Sequence, residues 1–105
     1  MTVTADLIIS GGTVAAAAGV FSADVAVTEG VVTAIGHNLG PATDHIDATG
    51  RLVLPGGIDT HCHIEQLSGA GLLNADTFET ATRSAAFGGT TCTVSFAAQH
   101  PGMRL

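Results

Sequence analysis

Apolar and polar positions change rhythm along the chain, and glycine marks most of the changes. ADLIIS (5–10) is apolar and β-branched, and Gly11-Gly12 interrupts it. ADVAVT (23–28), the pair Glu29-Gly30 and VVTAIG (31–36) then follow in order, and two such runs around a two-residue turn predict a hairpin. Beyond the polar stretch HNLGPATD lie HIDAT and RLVLP, parted by Gly50. Four or five short strands with turn residues between them predict a small antiparallel β module whose edges need partners.

At Pro55 the rhythm changes. GGIDTHCHIE (56–65) reads as a strand, QLSGAGLLN (66–74) as a glycine-containing loop and DTFETATRSAAF (76–87) as a helix. Asp76 and Glu79 have the spacing of a capping box, and Phe78, Ala81, Thr82 and Ala85 fall on one stripe. Gly88-Gly89 supplies the stop. In TTCTVSFA (90–97), alternation sets Cys92, Val94 and Phe96 on one face and Thr91, Thr93 and Ser95 on the other. Strand, helix, strand is a βαβ unit, so the expected fold class is α/β with a parallel pair and a right-handed crossover. Such a pair calls for more strands beside it and helices over it.

Composition sharpens this picture. Of 105 residues, 46% are hydrophobic and only 11% charged, more apolar surface than so small a body easily covers. The chain therefore reads as part of something larger. Its net charge of −6 sets nine acids against Arg51, Arg83 and Arg104, with no lysine, so no basic face exists for a nucleic acid. VAAAAGVF, the richest apolar run, is far short of the ~20 residues of a membrane helix, so no membrane partner is expected. MTVTADLIISGG lacks the basic start and cleavage pattern of a secretory signal, and the expected location is the cytoplasm. Cys62 and Cys92, with apolar neighbours and no CxxC pattern, read as reduced core thiols.

The candidate chemistry lies in PGGIDTHCHIEQ (55–66). On an extended backbone Asp59, His61 and His63 share one face, and Ile58, Thr60, Cys62 and Ile64 take the other. Two imidazoles at i and i+2 can converge on one metal ion, with nitrogens ~2.0 to 2.1 Å from a zinc. From the same face Asp59 could support a ligand imidazole. The spacing suits equally two half-buried histidines bonded to backbone, since His-x-His alone has many chance matches. Position brings the metal reading level with that one and no further: the pair ends a strand that opens a βαβ unit, where parallel α/β folds keep their chemistry. Glu65 and His100 sit near the same rim as candidate substrate contacts, although a lone glutamate and a loop histidine are more often solvated. His37, His45 and Arg83 read as solvated.

Taken together, the run IDATG-x-x-V-x-PGGID-x-H-x-H, the segment AAFGGTT from Ala85 and the β module ahead of both resemble one family. The chain is similar to the amino-terminal part of the dihydropyrimidinase and hydantoinase group of the amidohydrolase superfamily. The resemblance implies a (β/α)8 barrel preceded by strands of a small β-sandwich, with 1–54 in the sandwich module and 55–105 as the barrel's first strand, helix and second strand. It implies a two-zinc site in which His61 and His63 hold the more buried Zn2+. A carbamylated lysine, further histidines and a catalytic aspartate complete that site in the family, and none is found in this chain. The implied reaction opens a small cyclic amide, a dihydropyrimidine or hydantoin ring, to an N-carbamoyl amino acid, and the implied full-length protein is a homo-oligomer. Cys62 between the histidines and EQLSGAGLLN after them depart from the common pattern. No arginine follows the pair to hold a carboxylate, which favours an uncharged ring over dihydroorotate. The alternative is a truncated, non-catalytic remnant or an interaction protein of the same ancestry. The 105 residues alone are expected to be inactive, because a barrel takes about 250 residues.

Overall fold

A computed structural model describes residues 4–102 and Arg104. The chain divides into two compact units, one running to Pro55 and one starting at Gly56.

The first unit is a five-stranded mixed sheet. Strands β1 (Ala5–Ala16), β2 (Gly19–Thr28) and β3 (Val31–Gly36) form an antiparallel meander, while β4 (Ala42–Asp47) and β5 (Leu52–Val53) lie beside β1. Glu29 and Gly30 both take positive φ, 52° and 75°, as the two-residue turn between β2 and β3 requires. Gly11-Gly12 does not break β1. The strand passes through a bulge there, with Gly11 at φ 74° and its amide donating to Asp24 Oδ1 at 2.9 Å.

Nor is the module purely antiparallel. Both β4 and β5 pair with β1 in parallel, because the connection after β3 crosses the sheet to the far side of β1 instead of turning back. Leu39, carried on that connection, packs on the cluster of Ala5, Ile8 and Ala26. A second cluster joins Val14, Ala23 and Val25, with Val53 of β5 against it. Small and β-branched side chains make up both clusters, and each fully buried valine or isoleucine contributes about 1.5–3 kcal/mol.

In the second unit β6 (Gly57–Cys62) and β7 (Thr90–Ser95) pair in parallel, joined by helix α1 (Phe78–Phe87). Thr77, not Asp76, is the N-cap: its hydroxyl accepts from the Thr80 amide, and Thr80 Oγ1 in turn accepts from the Thr77 amide. Asp76 is one step too early to cap the backbone, and its carboxylate accepts from the Thr80 hydroxyl instead. Glu79 pairs with Arg83 on the solvent face. Ala81 and Ala85 are the half-buried positions of α1, which lies against the Thr91 and Thr93 face of β7. The opposite face of β7 is open, so Val94 is 57% exposed and Cys92 is a surface thiol; only Cys62 of the two cysteines is partly buried. Among the described residues no helix is long and apolar enough to cross a membrane.

Candidate metal site

Gly56 stands just ahead of β6, which Gly57 starts, and Gly56 is required sterically. A Cβ on Gly56 would stand 2.0 Å from Thr91 Oγ1 and 2.7 Å from Thr91 Cβ, so only glycine lets β6 come this close to β7. The pairing then carries one irregularity that shapes the site. Asp59 faces Thr93 and Cys62 faces Ser95, so two residues of β6 lie opposite one of β7. This bulge breaks the strict alternation expected from Ile58 to Ile64. Asp59 is therefore out of step with the histidines, and its Oδ1 accepts from the backbone amide of His61 at 3.0 Å, not from an imidazole. The strand itself ends at Cys62, and Glu65 at φ 50° turns the chain away.

Past the bulge, His61 and His63 converge. Their Nε2 atoms are 3.3 Å apart and their ring centroids 5.3 Å. Two nitrogens bound at ~2.0 to 2.1 Å to one tetrahedral zinc are themselves about 3.3–3.4 Å apart, so the pair has the edge length of such a site. Phe96, at the end of β7, lies 4.6 Å from both imidazoles and stacks on His63 within 11° of parallel. Its amide donates to the Cys62 carbonyl at 2.9 Å, which holds the phenyl ring against the pair.

The loop between β6 and α1 closes around His63. Gln66 Oε1 lies 2.5 Å from His63 Nδ1, and Asn74 Nδ2 donates to the His63 carbonyl at 2.6 Å. The loop is held in shape by its own pairing: the Asn74 amide donates to the Gln66 carbonyl, the Ser68 amide to the Leu72 carbonyl and the Leu72 amide to Ser68 Oγ. Glu65 serves the helix: its Oε2 accepts from the Phe78 amide at 2.9 Å, one of the donors a helix start leaves open. An open cleft of about 430 Å3 adjoins, lined among others by Glu65, Gln66, Phe78, Phe96 and His100. Neither His61 nor His63 lines it, whereas Gln66 and Phe96, which touch the His63 ring, do. His37 and His45 are exposed in the other unit, His45 on β4 and not in a loop. Among the described residues no third histidine, cysteine, aspartate or glutamate joins the pair.

Comparison with known proteins bears on the same residues. The chain is 50% identical over 100 residues to the D-hydantoinase of Ralstonia pickettii, covering 95% of this chain and 22% of that one. A solved D-hydantoinase structure superposes with a TM-score of 0.86 at 50% identity, over 93% of this chain and 21% of the other. The chain belongs to the hydantoinase and dihydropyrimidinase group. Dihydropyrimidinase 1 of Caenorhabditis elegans is 44% identical over 92 residues, 86% of this hydantoinase-group chain and 19% of that protein. The chain thus spans about a fifth of the length of its relatives. No family model matches it.

Within this group member, sequence reasoning reached the histidine pair but not Gln66, Asn74 or Phe96. For Phe96 a signal existed, since its parity on β7 sets it on the face away from α1. Gln66 and Asn74 depend on how the nine-residue loop 66–74 folds back, which no local pattern announces.

Proposed function

We propose that this chain supplies the first metal-ligand pair, His61 and His63, of a zinc-dependent hydrolase that opens small cyclic amides. The observation that carries the reading is the 3.3 Å between the two Nε2 atoms, on a chain half identical to a D-hydantoinase. Zinc bound there would supply Lewis-acid polarisation of a ring carbonyl and activation of water near neutral pH. His61 and His63 bind, Asp59 steadies the strand turn through the His61 amide, and Phe96 packs against both rings, which stay exposed to solvent. Glu65 and His100 form part of the rim of the neighbouring cleft, where an uncharged dihydropyrimidine or hydantoin ring is the substrate expected.

In the same reading β6, α1 and β7 begin a (β/α)8 barrel and residues 1–54 contribute strands to a β-sandwich. The parallel β6–β7 pair with its open outer edges supports this, since such pairs occur inside covered sheets. A second zinc, the carbamylated lysine and a homo-oligomeric, cytoplasmic enzyme belong to the complete protein; these 105 residues hold no lysine.

The test is zinc binding and ring opening by the intact protein. Replacing His61 or His63 by Ala should weaken zinc more than about 100-fold, since changes one shell further out already cost about 10- to 100-fold. Opening of hydantoin and dihydrouracil should vanish with it, and dihydroorotate should be a poor substrate throughout. Zinc content and turnover untouched by both substitutions would sink the reading. Zinc bound through the pair with no turnover on any ring would point to the non-catalytic alternative.

A further inference from the structure

The two histidines are not held alike, and the difference lies in the loop that follows them. His63 has a partner on each ring nitrogen: Gln66 Oε1 at 2.5 Å from Nδ1 and His61 Nε2 at 3.3 Å from Nε2. Its main chain is held as well, through Asn74. Among the described residues His61 has only the His63 ring nitrogen and the Phe96 ring beside its imidazole.

We propose that Gln66 is a positioning residue that presets His63 as the Nδ1–H tautomer, so that its Nε2 lone pair faces the metal position before any metal arrives. This rests on the pair being the metal site proposed above. With Gln66 Oε1, an acceptor only, set against Nδ1, the neutral imidazole carries its proton on Nδ1 and leaves Nε2 bare. His61 Nε2–H then donates to His63 Nε2 in the metal-free protein. Binding a metal costs a proton relocation on His61 alone, while His63 is ready. Gln66 comes with its own support, because its carbonyl accepts the Asn74 amide while the Asn74 side chain holds the His63 carbonyl at 2.6 Å. The loop thus grips His63 by ring and by backbone at once. A ligand imidazole held through its other nitrogen is oriented and more basic.

The experiment uses the intact, metal-free protein with 15N-labelled histidine, and reads the His63 tautomer from long-range 1H–15N correlations. Zinc affinity is measured on the same samples, and far-UV circular dichroism checks that each variant folds. The expected result is Nδ1–H at His63, its loss in Gln66→Leu with zinc binding about 10- to 100-fold weaker, and recovery of both in Gln66→Glu, which keeps an acceptor. An Nε2–H tautomer in the unaltered protein overturns the proposal. So does a Gln66→Leu variant whose tautomer changes while zinc affinity does not. If His63 is preset as described yet His61→Ala and His63→Ala leave zinc binding unchanged, the assignment of the metal to this pair fails instead.

Discussion

Asp47 and Gly56 each show how much one side chain, or its lack, decides. Hydrogen bonds from the Thr49 hydroxyl and amide hold the Asp47 carboxyl below its ordinary value, and the Arg51 guanidinium adds to this against a small opposing effect of burial. The folded state thus favours the carboxylate. Its contribution is present above the ordinary carboxylate range and is lost as pH falls through the lowered folded value. Asp47→Asn should lower the neutral part of a plot of urea midpoint against pH and flatten its acid limb, the two proteins converging at low pH. A steeper acid limb in the variant would contradict the assignment. At Gly56 the prediction is steric. Gly56→Ala should cost about 1–3 kcal/mol, the usual cost of overpacking, because Thr91 cannot clear its Cβ by rotation alone. Adding Thr91→Ala should return part of that loss in denaturant titrations. If Gly56→Ala is neutral, β6 and β7 do not approach as described.

At the scale of elements, α1 depends on its start more than on its burial, for none of its residues is fully buried. Thr77→Ala removes the hydroxyl that receives the Thr80 amide and should lower stability by about 0.5–2 kcal/mol, read as a shift in urea midpoint. Local chemistry made most elements legible beforehand. Glu29-Gly30 announced the β2–β3 turn through the positive φ it demands, and Gly88-Gly89 announced the end of α1. What local chemistry could not carry was register and crossing. The bulge at Gly11 and the bulge after Asp59 arise from pairing partners distant in sequence, as do the parallel positions of β4 and β5. Only the histidine pair of the candidate site was visible, because period-two geometry is local. Its holders Gln66 and Asn74 come from a loop whose closing contacts, such as Leu67 opposite Leu73, set its path.

Across the whole chain, apolar surface remains uncovered in both units. Ile58, Val94 and Phe87 of the second unit are 65%, 57% and 90% exposed, and its one buried hydrophobic residue among those described is Ile64, itself 9% exposed. That is far more than an independent domain of this size leaves open. Expressed alone, these 105 residues should therefore associate with rising concentration in sedimentation runs and bind hydrophobic dyes, with no ring-opening activity. A monodisperse, dye-silent monomer would show that the unit needs no neighbours. The relatives, of which the chain spans about a fifth, have ample sequence to provide them.

The phenyl ring of Phe96 has one more consequence. Stacked on His63 and tilted over His61 at the same 4.6 Å, it bathes both imidazoles in its ring current. The carbon-bound protons of those two histidines should resonate upfield of those of exposed His37 and His45, and Phe96→Leu should bring them back. In a chain with no tryptophan or tyrosine to fluoresce, this magnetic shielding is the signal by which events at the pair can be watched.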